Sequence, residues 1–176
     1  MSTLDFCTQF HKNAYFGGYP NQTEFKELIE ILKITNFLDL TTIKERQNLN
    51  YNYEYDLQYY TDVKYRNFCI LDNKTPYSTE SFLQLIIDIS KEIMDDKYIY
   101  IHCKGGHGRS SLFVACILMY LFSEDSKKSI HKTKEFHKQR KNLKEKYRNI
   151  EIPSSFCQRR YIDEIHEKLQ NIIKNS

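Results

Sequence analysis

The stretch Tyr98-Ile99-Tyr100-Ile101-His102-Cys103-Lys104-Gly105-Gly106-His107-Gly108-Arg109-Ser110 decides how the chain is read. Its first four residues are aromatic or β-branched, the composition of a strand. A strongly apolar helical run follows, from about Ser111 to Phe122. Between the two lie Gly105, Gly106 and Gly108, three glycines within four positions. Glycine admits positive φ and lets backbone N–H groups converge on one point. The loop also feeds a helix N-terminus, whose unpaired N–H groups favour anions. Arg109 adds a planar fork of donors that can grip two phosphate oxygens. Everything in the loop favours a phosphate-like dianion. The same field stabilises a thiolate, so Cys103 is expected to be ionised at neutral pH. Beneath a cradled phosphate it is placed for in-line attack on phosphorus, through a phosphocysteine intermediate.

Outward from this loop, short strands alternate with helices. Asn21 and Glu24 form a capping-box pattern, after which Phe25, Leu28, Ile29 and Leu32 share a helical face. Asn36 to Leu40 reads as a strand, and Phe68 to Leu71 as another. The tyrosine-rich segment from Tyr51 to Tyr65 fits neither template. Ser78 caps a helix whose apolar face carries Phe82, Leu83, Ile86, Ile87, Ile89 and Ile93. Two more helices are expected, a basic one from about Lys127 to Lys146 and a last one from about Ser155 to Ile173. The expected fold is α/β: a central, mostly parallel sheet flanked by helices. Cys103 then lies where a strand ends and a helix begins, the place where ligands gather in such folds.

The 176 residues fit one domain, taken as 1–176, with no repeat or linker to divide them. No apolar run approaches a membrane span, and Met1 to Phe6 lack a signal-peptide pattern. The expectation is a soluble, cytoplasmic protein. Its five cysteines are odd in number and widely spaced, with no zinc-like pair. Cys69, Cys116 and Cys157 read as core fillers, although Cys69 could pair with Cys103 under oxidation. His11, His131, His137 and His166 read as surface or core residues. The net charge of +3 hides a basic stretch, Lys127 to Arg148, with ten Lys/Arg against two Asp/Glu. That is usually a solvated helix face; the alternative is a docking surface for RNA, acidic lipid or an acidic partner.

Cys103 and Arg109 enclose five residues, with Ser110 next. This Cys-x5-Arg-Ser loop resembles the signature of the protein tyrosine phosphatase superfamily. Gly18-Tyr19-Pro20, the loop at Asp72, and Pro153 with Gln158-Arg159-Arg160-Tyr161 resemble landmarks of its compact dual-specificity-like members, so the likeness spans most of the chain. The resemblance implies Cys103 as nucleophile and Arg109 as phosphate clamp. The main-chain N–H groups of Lys104, Gly105, Gly106, His107, Gly108 and Arg109 would bind phosphoryl oxygens. Ser110 would assist the departing sulfur, and His102 would orient the loop from behind. Ser111 departs from the glycine or alanine frequent after the serine. The leaving oxygen needs a proton, and a carboxylic acid usually gives it. Asp72, in a loop 31 positions before Cys103, is the leading candidate; Asp56 and Asp62 are rivals. No metal or cofactor is expected.

Four substrate classes share this chemistry: phosphotyrosine, phosphoserine or phosphothreonine, phosphoinositide or inositol phosphate, and RNA 5′-phosphates. Likeness to compact dual-specificity members favours a phosphorylated protein. Lys104 and His107 put basic residues inside the loop, a feature similar to the lipid-phosphatase subgroup; His107 reads as a conditional cation near neutral pH or equally as a filler whose backbone alone counts. The phosphoinositide reading is therefore second, RNA third, and a non-catalytic phosphopeptide binder last.

Overall fold

The computed structural model describes residues 4–174, so the leader reading of Met1, Ser2 and Thr3 and the extreme ends of the 1–176 span fall outside it. The chain forms a five-stranded sheet: β1 (Cys7–His11), β2 (Ala14–Gly17), β3 (Asn36–Asp39), β4 (Lys64–Asn67) and β5 (Ile99–His102), in the order β1-β2-β5-β3-β4. β1 pairs antiparallel with β2, and the other three pairings are parallel. This is the mostly parallel α/β sheet that the sequence leads one to expect. His102 at the end of β5 stands level with Gly17 of β2 and Asp39 of β3. The loops leaving these three strands therefore meet at one edge.

Period-two alternation divides the core between the two faces. Ile99 and Ile101 of β5, Leu38 of β3 and Phe16 of β2 point into one cluster. It is shared with the helices α3 (Thr79–Met94), α4 (Arg109–Phe122) and α6 (Phe156–Lys174). Tyr100 and Phe37 point into the other, with Phe25 and Leu28 of α1 (Gln22–Glu30) and the buried Tyr53. α4 is buried along almost its whole length, which explains its apolar sequence. It packs against α3, α6 and α5 (Ser126–Lys138). The Asn21–Glu24 capping box and the Ser78 cap are both present. No helix among the described residues is long and apolar enough to cross a membrane.

Several elements differ from the sequence reading. The hairpin β1–β2 carries no strong local signal, and its short strands hold by pairing. The strand expected at Phe68–Leu71 lies earlier, at Lys64–Asn67. Two hydrogen bonds, Phe68 N–H to Asp39 O and Ile70 N–H to Leu40 O, continue beyond it without a regular ladder. The tyrosine segment resolves into two 3-10 turns, Tyr53–Tyr55 and Leu57–Tyr59. A five-residue helix α2 (Ile43–Gln47) was not anticipated, nor was the start of α4 at Arg109. The basic helix stops at Lys138, eight residues short of Lys146, because the chain turns there to carry Arg140 inward. Cys116 is a core residue, and burial pushes its thiol well up. Cys69 and Cys157 are exposed rather than core fillers, and all five cysteines are free thiols.

Asn13, in the β1–β2 turn, is buried and ties the hairpin to the opposite side of the fold. Its amide donates to Ile93 O at 2.8 Å and Lys97 O at 2.7 Å, holding the end of α3 and the approach to β5. Asn13→Ala removes this donor from both carbonyls, of which Ile93 O still accepts from Asp96 N–H at 3.2 Å. The expected loss is roughly 1–3 kcal/mol of stability in urea unfolding.

Candidate active site

Cys103 follows β5 directly, and its Sγ receives the Gly106 N–H at 3.2 Å. Ser110 Oγ, in the first turn of α4, lies 3.6 Å from the same sulfur. Gly106 has φ +76°, and a Cβ there would sit 2.5 Å from both Arg140 Nη1 and Gly17 C. Only glycine fits. Arg140 explains which way the loop faces. It is buried, and its Nη1 donates to Gly105 O at 3.3 Å and Gly106 O at 3.2 Å. In a trans peptide C=O and N–H point in opposite directions. Anchoring the Gly105 carbonyl from beneath thus turns the Gly106 N–H towards the sulfur.

His102 stands behind the loop, fully buried. Tyr53 Oη is 2.6 Å from its Nε2, while its Nδ1 lies 3.4 Å from Cys103 O and 3.8 Å from Asp39 Oδ1. Burial pushes the imidazole down against the opposing pull of Asp39, so the ring is neutral. Burial also pushes the Tyr53 hydroxyl well up. Tyr53 O–H therefore donates to Nε2, and Nδ1–H faces the Cys103 carbonyl. Asp39 is itself fixed by Thr41 N–H, Thr41 O–H and Tyr65 O–H.

Arg109 is 2% exposed and almost wholly engaged. Glu45 of α2 takes it two-toothed, Nη1 to Oε2 at 2.7 Å and Nη2 to Oε1 at 2.8 Å. Nη1 also donates to Ile70 O at 3.0 Å, and Nη2 lies 3.2 Å from Asp72 Oδ1. Burial opposes the arginine's charge, but the hydrogen bond and charge of Glu45 outweigh it. Burial likewise pushes the Glu45 carboxyl up. Hydrogen bonds from Arg109 and Thr42, with the Arg109 charge, prevail and take it from 4.5 to about 2. Neither Glu45 nor Arg140 was singled out from the sequence. Thr42-Ile43-Lys44-Glu45 is a capping-box pattern, and Glu45 does cap α2, so that signal could have drawn attention to it.

A cavity of about 370 Å³ opens above the loop, lined by Cys103, Lys104, Gly105, His107, Gly108 and Arg109, and across from them Asp72, Asn73, Tyr147 and Ser154. The fold thus gathers Asp72 with the Cys103 loop. It places the rival Asp56 elsewhere, bonded to Tyr51 Oη at 2.7 Å, and Asp62 in an exposed turn. The start of α6 holds the Asp72 loop from outside. Ser155 O–H and Cys157 S–H donate to Asn73 O at 3.1 and 3.0 Å, and Gln158 Nε2 donates to Lys74 O at 2.8 Å. Ser154 N–H, just before α6, donates to His107 O at 3.0 Å, so one segment grips both loops. His107 is not the conditional cation the sequence suggests. Burial, with the charges of Arg140 and Lys146, pushes it from 6.5 down to about 4. His137, read from the sequence as a surface or core residue, is buried and lies 2.8 Å from it.

Glu45 carries a consequence for stability against pH. A carboxyl whose value is lower in the folded chain contributes stability fully present above its unfolded value, near 4.5, and lost as pH falls to about 2. Glu45→Gln removes that contribution. Wild type should exceed the variant in denaturant midpoint at pH 6, and the gap should narrow between pH 4.5 and 2. The variant should also lose phosphate affinity, because Arg109 is no longer held in its plane.

A model of the Swiss Army Knife protein, DSP-PTPase phosphatase domain, matches residues 18–158. Protein 067L of Invertebrate iridescent virus 3, named as a tyrosine phosphatase, is 33% identical over 154 residues, covering 85% of this chain and 60% of that protein. The chain thus spans about three-fifths of that relative's length. Among solved structures, PTPMT1 in complex with PI(5)P superposes with TM-score 0.76 at 14% identity, covering 96% of this chain and 99% of that one. The core catalytic domain of the PP-IP phosphatase SIW14 from S. cerevisiae gives TM-score 0.67 at 15% identity, covering 99% and 95%. At such identities these structures establish a shared fold. The family match covers most of the chain, and with it the protein belongs to the Swiss Army Knife DSP-PTPase phosphatase domain family.

Proposed function

We propose that the chain acts as one phosphatase domain that hydrolyses phosphotyrosine, and also phosphoserine or phosphothreonine, in proteins through a phosphocysteine intermediate. The observation that carries this reading is the shared cavity: Cys103, whose Sγ receives the Gly106 N–H, lines it together with Arg109 and Asp72. In the first step the Cys103 thiolate attacks phosphorus and the bond to the leaving oxygen breaks. Asp72 protonates that oxygen. In the second, water attacks phosphorus and gives its proton to Asp72. The sulfur–phosphorus bond breaks, and Ser110 O–H steadies the departing thiolate. The guanidinium of Arg109 presents Nε–H and, once Asp72 releases it, Nη2–H to the phosphoryl oxygens. The loop amides from Lys104 to Arg109 supply the remaining donors and carry the charge stabilisation without a metal or cofactor. His102, bonded through Tyr53, sets the loop from behind.

A second reading, a phosphoinositide or inositol phosphate substrate, draws on Lys104 at the cavity and on two neighbours named for such ligands, PTPMT1 with PI(5)P and the PP-IP phosphatase SIW14. The neutral His107 weakens its charge argument. An RNA 5′-phosphatase is less favoured still, because six of the ten cations of the basic stretch are engaged in ion pairs and Arg140 is turned inward. Lys128 and Lys132 pair with Glu124, Lys134 with Glu151, Lys138 with Glu135, Lys141 with Asp5 and Arg148 with Glu145. Docking to RNA or acidic lipid through that surface, and location in the cytoplasm, remain secondary to the phosphatase reading.

The test is phosphate release in EDTA from phosphotyrosine and phosphothreonine peptides, phosphoinositide vesicles and 5′-triphosphorylated RNA. Peptides should turn over, and Cys103→Ser should abolish the reaction while leaving ester binding. Asp72→Ala should cost about 10²–10⁴ in rate with an alkyl leaving group and less with an activated aryl ester. Faster turnover of lipid or RNA by a large factor would displace the protein-substrate reading. A strict metal requirement would sink the mechanism.

A further inference from the structure

His107 is the one loop side chain whose ring is locked on two sides. It stacks on Tyr147 with centroids 4.0 Å apart and planes at 21°. Its Nδ1 lies 2.8 Å from Nε2 of His137, a fully buried residue of α5. The opposite edge of the ring hangs over Gly105 at the cavity. A Cβ on Gly105 would be 2.9 Å from His107 Cδ2 and 3.3 Å from Nε2.

Two neutral imidazoles at this distance share one proton, and only two arrangements exist. In one, His107 Nδ1–H donates to His137 Nε2, and the remaining proton of His137 must sit on Nδ1. That atom is enclosed in protein with no hydrogen-bond partner. The result is an orphaned buried N–H, the rarest kind of unpaired group. In the other, His137 Nε2–H donates to His107 Nδ1, and the enclosed Nδ1 is only a lone pair. The Arg140 cation bears on both rings, and its field favours a lone pair there over an N–H. The second arrangement therefore prevails, and it leaves the His107 proton on Nε2, the edge at the cavity.

We propose that His137 is a positioning residue that fixes His107 with its proton on Nε2, making His107 a neutral, specificity-determining donor to an acceptor oxygen on the group bearing the scissile phosphate. The proposal rests on the Cys103 cavity being the catalytic pocket. The charged and titratable groups around the pair are Arg140, Lys146 and Tyr147; burial first, and then the Arg140 charge, holds both rings neutral, with Lys146 adding to the effect at His107. A neutral donor serves a peptide carbonyl or a hydroxyl as well as a second phosphate. It therefore selects for an oxygen acceptor beside the scissile phosphate rather than for substrate charge.

The deciding measurement is imidazole nitrogen NMR of the full chain labelled at histidine, between pH 7.5 and 5.5. His107 should show a protonated Nε2 and bare Nδ1 throughout. His137→Gln, whose amide N–H can take the place of Nε2–H, should keep that pattern and the phosphotyrosine-peptide KM. His137→Phe should release His107 to mixed tautomers and a higher titration point. KM should rise about three- to tenfold, the worth of one neutral hydrogen bond, with kcat changing less. His107→Phe, which retains the stack on Tyr147, should match that KM. A proton on Nδ1 of His107 in the wild type overturns the proposal without reference to any variant. So does a His137→Phe protein with unchanged tautomer and KM. Peptide turnover that survives Cys103→Ser would instead bring down the functional reading, which the spectra do not touch.

Discussion

The hold of Glu45 on Arg109 is the contact around which the cavity is arranged. A guanidinium removed from water loses its hydration, and several kcal/mol are at stake unless a carboxylate and good hydrogen bonds replace it. Glu45 and the Ile70 carbonyl supply them. They also use the arginine's outer donors, so that the inner ones are aimed and not merely present. α2, only five residues long, is positioned by its own cap at Thr42, and that same cap fixes Glu45. The strand order follows the same requirement. β3 lies beside β5, so the segment after β3 delivers Glu45 to the residue that opens α4.

Below the loop a second arginine plays a different part. Arg140 grips carbonyls rather than a carboxylate, and so acts on the direction of peptides and not on charge balance. His102 does similar work from the strand side through Tyr53. Arg140 on the glycine carbonyls, and His102 with Tyr53 behind it on the Cys103 carbonyl, thus orient one short loop. Glycine supplies the permissive backbone, and the surroundings choose its conformation.

What could be read beforehand was local. Cys103, the glycines and Arg109 stand within seven consecutive residues, and the strand and apolar helix beside them carry their own patterns. Asp72 was legible as a loop acid, and the fold brings it to the same cavity. Arg140 was hidden because nothing in its neighbourhood distinguishes a charge that turns inward from one that faces water, and Glu45 showed only a capping-box pattern, which marks a helix start and not the partner of a distant arginine. Arg140 sits in a run of lysines, most of which do pair at the surface. The Phe68–Leu71 run misled for a related reason. Its apolar residues serve unlike ends: Ile70 fills the core and gives its carbonyl to Arg109, while Leu71 is exposed. His107 failed as a cation because Tyr147 and His137, forty and thirty positions away, take it out of water.

The segment from Ser154 to Gln158 grips both the Asp72 loop and the Cys103 loop, and it lies some fifty residues after Cys103. Closing contacts between positions so far apart in sequence must await most of the chain's ordering. During vectorial synthesis on a ribosome, the Cys103 sulfur is translated some fifty residues before the segment that completes its surroundings. A nascent chain therefore passes through a stage in which Cys103 exists without a working pocket. Helix α6 and the residues just before it complete the surroundings of the cavity as much as they form a layer of the core.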